Sequence, residues 1–580
     1  MISPRIILGQ YITHQRTVGR TLHHHGTTAS SPFQVQTTPD VVETKMRWFH
    51  LLLLPLCHAQ QDAQTASVPL FLNYMQTFGG VHTSSPVQVQ TTTELVALLV
   101  NELGSSFQAP FTLHDLAKDP HATSPNPQHD GVEQIHLSLT SNPREMRVVF
   151  ASTSTSTTTS QNATATAVLS DGRNFTATPY TYHVPSRWWQ PKGWLGQLYS
   201  VVFDQLEYNL TYSYALSLNV DDVAVGRVGL IKPPPPPLPP PTTTTNTFQM
   251  LDPSDTSQTV SFATYGDMGT VMPLGFKVFD KVKEEHLRDP FDFILHQGDI
   301  SYAGVDTSIK ILNISKDDEW EYIWDLFGRQ IEPVAANIPY MTSTGNHEAW
   351  YNFTSFRARY PMPYPEQKED EADAFWFAFD AGPVHVVSAS SEHSYEVGSA
   401  QYIWLAAELQ KSKKMKEKNG TWIVFAIHRP LYSSDLDGFS QHIPGSHMVA
   451  VLEPLLLNAR VDLTLTGHQH GYERIHPNVN GTVTERTNAQ SEYVSPNGPV
   501  HLMVGSAGAF QNEKWFEPQP AWSAKRFSYG PHVGRGVGSR PLMDSYGFVR
   551  VDVHGIKHMN ISFISIKNES RCNDTFSIVR

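Results

Sequence analysis

The sequence predicts an α/β chain: a βαβ sandwich of two mixed sheets flanked by helices over residues 255–580, preceded by an all-β sandwich over residues 129–232. Three observations carry this expectation. Between Phe262 and Leu465, short apolar runs each break off into a loop bearing Asp, Asn, His or Tyr, as buried strands do when they deliver polar groups at their carboxyl ends. Between Gln134 and Leu216 the pattern is instead an alternation with period two, the mark of half-buried strands. Separating the two is Pro233 to Pro241, broken only by Leu238 and followed by Thr242 to Thr245, a stiff polyproline spacer that cannot join a sheet.

At 580 residues, 40% of them hydrophobic and 17% charged, the chain has room for two or three globular domains. A net charge of −13 excludes nucleic acid and anionic membrane surfaces as general partners, so an anionic substrate must be drawn by local cations, which bound metals would supply.

Residues 1–45 are polar, without sustained period, and are expected to be disordered or an extension of the gene model. Residues 46–59 read as a signal peptide: the basic start Met46-Arg47-Trp48, the apolar run Leu51 to Leu56, and the small-x-small site Cys57-His58-Ala59. That run is too short to span a bilayer, so no membrane span is expected. A location outside the cell or in a vacuolar lumen follows, in keeping with sequons at Asn162, Asn174, Asn209, Asn313, Asn352, Asn419, Asn480, Asn560, Asn568 and Asn573. Cys57 and Cys572 are the two cysteines; loss of the signal leaves Cys572, which could pair two chains into a homodimer or stay unpaired. Residues 60–128 carry a short helical pattern around Leu95–Val100 and otherwise little order. A stretch from Ser30 to Thr38 returns almost unchanged at Ser84 to Thr92, most simply a local duplication.

The β module starts with Ile135, Leu137 and Leu139 on one face and turns at Asn142-Pro143. Further strands are expected at Met146–Phe150, Ala165–Leu169, Leu198–Phe203 and Thr211–Leu216, with a Pro/Thr-rich linker over residues 233–254. Five blocks follow. They are Gly266-Asp267, Gly298-Asp299-Ile300-Ser301-Tyr302, Gly345-Asn346-His347-Glu348, Ile427-His428, and Gly467-His468-Gln469-His470. Asp267, Asp299 and Tyr302 are hard oxygen donors that are anionic when coordinated, whereas Asn346, His428 and His468 are neutral, and one pocket cannot use all of them. Between the blocks, Asp318–Phe327 reads as an aromatic-rich helix. Ser399 caps another that runs through Gln410, with Ile403, Trp404 and Leu409 inward and Lys411, Lys413, Lys414, Lys416 and Lys418 at its end. Strands at Trp376–Phe379 and Val384–Val387 flank a turn, where His385 is structural, and Tyr546–Val551 with Met559–Ile564 is expected to form a hairpin closing a second sheet.

In this order and spacing the five blocks resemble the purple acid phosphatases within the calcineurin-like metallophosphoesterases, over roughly residues 130–580. One departure is Phe425, three residues before His428, where the family usually has Val. The resemblance implies the metallophosphoesterase βαβ sandwich behind a fibronectin-III-like domain. It also implies two metals: Asp267, Tyr302 and His470 around Fe(III), Asn346, His428 and His468 around a divalent Zn, Mn or Fe, and Asp299 bridging. The implied activity is hydrolysis of small phosphate monoesters by a metal-activated hydroxide, with His347 holding phosphoryl oxygens or protonating the leaving alkoxide. His442, fourteen residues beyond His428, resembles the family's substrate-contacting histidine, with a merely exposed side chain as the alternative; His447 is a weaker contender. Glu348 and Arg429 are expected to orient the ligands. Other readings remain: a nucleotidase or phosphodiesterase with a colourless dizinc centre, which would lack the ligand Tyr302, or an inactive secreted glycoprotein that binds through its β module.

Overall fold

A computed structural model of the chain describes residues 132–152, 164–184, 194, 196–219, 246–270, 274–304, 319, 321–364, 375–436, 441–509, 515–527, 545–566 and 574–580. The signal-like segment, both cysteines, the duplicated stretch, the polyproline run and Asn162, Asn313, Asn568 and Asn573 lie outside the described residues.

The first module consists of β1 (Val132–Leu139), β2 (Met146–Ser152), β3 (Thr164–Leu169), β4 (Asn174–Ala177), β5 (Gln197–Phe203), β6 (Thr211–Asn219) and β7 (Asn246–Gln249). They form two antiparallel sheets ordered β1-β2-β5 and β4-β3-β6-β7. Their alternate residues fill one core, in which Phe203 stacks on Phe248 with ring centroids 5.9 Å apart. Strand β7 falls within the stretch expected to be linker. Its Phe248 completes the core and its backbone pairs with Tyr212, so the β module extends past the prolines to Gln249.

Strand β1 departs from the simple alternation, because its polar face is buried as well. Glu133, Gln134 and His136 turn toward the second module, where Arg329 pairs with Glu133 at 2.7 Å, and the Gln134 backbone N–H donates to Glu332 Oε2 at 2.6 Å. His136 Nε2 lies 2.9 Å from the Arg359 carbonyl. Beside them the Arg359 guanidinium sits 4.5 Å from the Trp194 ring and 2.9 Å from Asp325. A polar face in sequence is thus an interior seam in structure.

Burial pushes Glu332 up to about 7, opposed by the two N–H groups it accepts from. A carboxyl raised in this way binds a proton on folding between its unfolded value and about 7, so its contribution to stability falls as pH rises across that window. His136, lowered to about 4 by burial, works in the opposite sense and masks the effect in the wild-type profile. The difference between Glu332→Gln and wild type isolates it. That difference should shift in favour of Gln by about 2 kcal/mol between pH 5 and pH 8, measured by urea denaturation at each pH; a pH-independent difference would contradict it.

The second module carries β8 (Thr259–Tyr265), α1 (Gly275–Arg288), β9 (Phe293–Gln297), α2 (Glu321–Ala335), β10 (Tyr340–Ser343) and α3 (Thr354–Arg359). Next come β11 (Phe377–Ala381), β12 (Val384–Ser388), α4 (Ala400–Asn419), β13 (Trp422–Ala426), α5 (His447–Ala459), β14 (Leu463–Thr466) and β15 (Tyr472–Ile475). It ends with the small hairpin β16 (Asn478–Val479) and β17 (Thr482–Val483), then β18 (Glu492–Val494), β19 (Val500–Val504), β20 (Ser523–Phe527), β21 (Gly547–His554), β22 (His558–Ser565) and β23 (Asp574–Val579).

Two seven-stranded mixed sheets result, ordered β10-β9-β8-β21-β22-β23-β18 and β11-β12-β13-β14-β19-β15-β20. Phe262, Phe293, Val386, Val424, Leu463 and Leu502 share the core that joins them, while Leu405, Leu409, Leu452 and Leu456 of α4 and α5 pack on Ile423 and Phe425. Covered on both faces, the central strands are largely apolar, and polar residues they carry, among them Thr264, His296, Gln297, Thr342 and Thr464, are buried as well. The expected C-terminal hairpin β21-β22 forms and joins the first of these sheets through β8. Helix α4 runs through all five lysines to Asn419 and buries Gln401, Leu405, Leu409 and Ser412, whereas Ile403, expected inside, is exposed. His385 is held between Asp380, 2.6 Å away, and Glu408, 3.2 Å away.

Candidate metal centre

The parallel strands β8, β9 and β10 in one sheet and β13 and β14 in the other end at a common edge, and each of the five blocks begins where its strand stops. Backbone geometry there is unusual. Asp267, Asp299, Tyr302 and His468 have φ of 60°, 51°, 55° and 68°, a left-handed conformation that side chains other than Gly, Asn and Asp seldom adopt. Aspartate tolerates it, so Tyr302 is the residue whose conformation indicates most clearly that the surroundings enforce the geometry.

The side chains form two groups that share Asp299. Asp267, Asp299 and His470 bring ligand atoms within 4.8 Å of one another, as do Asp299, His428 and His468. The Tyr302 hydroxyl completes the first group, 3.2 Å from Asp267 Oδ1, 3.4 Å from Asp299 Oδ2 and 2.9 Å from His470 Nε2. Asn346 Oδ1 joins the second, 3.3 Å from His428 Nε2. All seven sequence-derived ligand candidates therefore converge. Two positions between them admit only glycine: a Cβ on Gly345 would lie 2.2 Å from Asp299 Oδ1, and one on Gly467 would lie 2.4 Å from Asp267 Oδ2.

These donors fit a pair of cations. Asp267 and Asp299 are buried carboxylates whose ion-pair partners among the described residues are histidines: His470 at 3.3 Å, His428 at 3.4 Å and His347 at 4.0 Å. Burial disfavours charge on His428, but the Asp299 carboxylate outweighs it and holds the ring up at about 10. The Tyr302 phenol is pushed well above 10 by burial and then by Asp267 and Asp299, so it ionises only beside a strong positive charge. His428 Nδ1 lies 2.7 Å from the Gln297 carbonyl, which leaves Nε2 for coordination.

Around the ligands, Glu348 accepts backbone N–H groups from Asp299, Ile300 and Gly345 at 2.7–2.8 Å. His347 is buried, its ring 4.4 Å from that of Tyr302 and 5.3 Å from that of Trp350, and its Nδ1 has no hydrogen-bond partner. His442 is buried rather than exposed. Its Nδ1 lies 2.6 Å from the Pro430 carbonyl, its Nε2 is unpartnered, and its ring is 5.9 Å from that of His468. Exposed His447 pairs instead with Glu396. Sequence reasoning missed Glu392, whose carboxylate holds Arg429 at 2.7 Å; nothing in its local pattern marks it. Of the sequons, Asn174, Asn209, Asn352, Asn419 and Asn480 are exposed, and Asn560 is half-buried with its Oδ1 accepting from Ser577.

Two stacked mixed sheets with polar groups gathered at one edge define a calcineurin-like phosphoesterase, and that family matches residues 261–472. An iron/zinc purple acid phosphatase-like C-terminal family matches residues 498–574. Acid phosphatase type 7 of Mus musculus is 33% identical over 333 residues, covering 55% of this chain and 67% of its own. Purple acid phosphatase 22 of Arabidopsis thaliana is 27% identical over 385 residues, covering 65% and 72%. The purple acid phosphatase PPD1 from yellow lupin seeds shares the fold, with a TM-score of 0.59 at 19% identity over 78% of this chain and 75% of that one. The chain belongs to the purple acid phosphatases, a family of acid phosphatases with a binuclear metal centre. No helix among the described residues is long and apolar enough to cross a membrane.

Proposed function

We propose that the chain hydrolyses small phosphate monoesters at a mixed Fe(III)–M(II) centre, with M being Zn, Mn or Fe. Asp267, Tyr302 and His470 would hold the ferric ion, Asn346, His428 and His468 the divalent ion, and Asp299 both. The convergence of a buried tyrosine hydroxyl on two carboxylates and a histidine carries this reading. A phenol and two carboxylates are the donors a hard trivalent ion favours, whereas imidazole and amide suit a divalent one. When bound, the ion pair supplies hydroxide and neutralises the charge developing on phosphorus.

The chain's own groups position the ester. His347, stacked on Trp350 and tilted against Tyr302 with Nε2 4.0 Å from Asp299 Oδ2, would steady phosphoryl oxygens or give a proton to the departing alkoxide. His442, whose orientation Pro430 sets, would contact the substrate through Nε2. The β module, read as fibronectin-III-like, would steady α3 through the contacts of Gln134 and Trp194 with Arg359. Secretion or entry into a vacuole, with glycans on the exposed sequons, completes the proposal.

Tyr302→Phe provides the test. The purified, iron-loaded protein should show a visible charge-transfer absorption that vanishes in the variant, with phosphate release reduced in parallel. A colourless wild type that still hydrolyses esters would favour a dizinc phosphoesterase instead, and a metal-loaded protein with no phosphate release would favour the inactive glycoprotein.

A further inference from the structure

Arg429 follows His428 directly and lies at the rim of the pocket, its side chain 26% exposed. It is firmly placed. Its backbone N–H donates to Ser391 Oγ at 3.1 Å, Nε donates to Glu392 Oε1 at 2.7 Å, and Nη2 donates to Oε2 at 3.2 Å. Its third nitrogen, Nη1, lies 2.9 Å from His468 Nε2.

That last contact conflicts with a purely orienting role. A guanidinium can only donate, so the contact requires a bare lone pair on Nε2. A neutral ligating histidine offers none: the nitrogen that coordinates has committed its lone pair, and the other carries the ring proton and needs an acceptor of its own. Whichever nitrogen His468 uses, its ligation and the Arg429 contact exclude each other. An orienting partner for His468 would be a carboxylate or carbonyl. Arg429 is neither.

With His468 engaged, Nη1 is left with N–H donors at the mouth of the site, on an arm that Glu392 still grips. A donor-rich cation left without an acceptor at that place calls for an oxyanion, and the planar guanidinium suits a phosphoryl group. We propose that Arg429, clamped by Glu392, is a phosphate-recognition residue, which binds an oxygen of the ester's phosphoryl group when His468 serves as a metal ligand. This rests on the function proposed above. Glu392 is then a positioning residue, acting through Arg429.

The test uses the full-length, metal-loaded protein with inorganic phosphate as the probe, read as the inhibition constant against an aryl phosphate and accompanied by metal content per chain. For Arg429→Ala the phosphate inhibition constant and KM should rise about tenfold or more, with kcat changed less and metal content unaltered. Arg429→Lys keeps the charge without the fork and should recover part of the loss; it also serves if the alanine variant does not fold. Glu392→Gln should move KM in the same direction by a smaller factor. A phosphate constant within twofold of wild type in Arg429→Ala, or a loss of metal that accounts for the change, overturns the proposal and returns Arg429 to ligand support. If the wild type itself neither retained metal nor released phosphate, the functional reading would have failed, a separate outcome.

Discussion

Asp299→Asn is expected to give a folded protein that retains fewer than two metal ions and hydrolyses an aryl phosphate at least about a thousandfold more slowly than wild type. Asp299 is the one residue common to both groups of converging ligand atoms. Its Oδ1 lies 3.4 Å from His428 Nε2 and accepts the His347 backbone N–H at 2.9 Å, while Oδ2 lies 3.4 Å from the Tyr302 hydroxyl. Asparagine preserves the shape but presents one oxygen and one NH2 group, so it can accept on one side only and brings no charge. A carboxylate between two cations cannot be replaced by that. Some stability should be lost with the Asp299–His428 ion pair, partly offset because the substitution also removes one of the charges crowding Glu348, which burial and Asp299 together push up to about 8. Elemental analysis, phosphate release and thermal melting of the same preparation decide the matter: two ions per chain with near-normal turnover would show that Asp299 is not a shared ligand.

Much of this centre was legible in the sequence because it is built where strands end. A buried parallel strand is mostly apolar even where it carries a buried His296 or Thr464, so polar residues just beyond it, most of them beside a glycine that permits close approach, mark the sheet edge. Asp267, Asp299, Asn346, His428 and His468 all follow that rule. Other features could not be read because they depend on what lies across space. Glu133, Gln134 and His136 look like the wet face of a strand and are instead a buried seam, since the pattern of one strand does not say what covers it. Ile403 was placed inside α4 by its hydrophobicity alone, although the buried positions recur at 401, 405, 409 and 412. Strand β7 is hidden by the prolines before it, and the Glu392–Arg429 pair by a separation of 37 positions along the chain. Nor does sequence reveal left-handed backbone at Tyr302, a bulky residue for which tertiary constraint is the explanation.

That constraint leads to Glu348. One oxygen of its buried carboxylate accepts the N–H groups of Asp299 and Gly345, and the other accepts that of Ile300. The side chain thereby ties the loop that presents Asp299 and Tyr302 to the turn that presents Asn346 and His347, and it holds the first loop in its left-handed course. Removing it leaves three buried donors unpaired, each worth about 1–3 kcal/mol, less what entering water recovers. Glu348→Ala should therefore lower stability by about 4 kcal/mol. Glu348→Gln should cost about half as much, because one oxygen can still accept two N–H groups while the amide NH2 opposes the third. Measured on metal-free protein by urea denaturation, these losses report the hydrogen bonds without the ions' own contribution. Metal affinity and turnover should fall about ten- to hundredfold in both variants, although neither loses a ligand. If Glu348→Ala denatured and bound metal like the wild type, the strained loop would owe its shape to something else, and the convergence of the ligands could not be credited to this clamp.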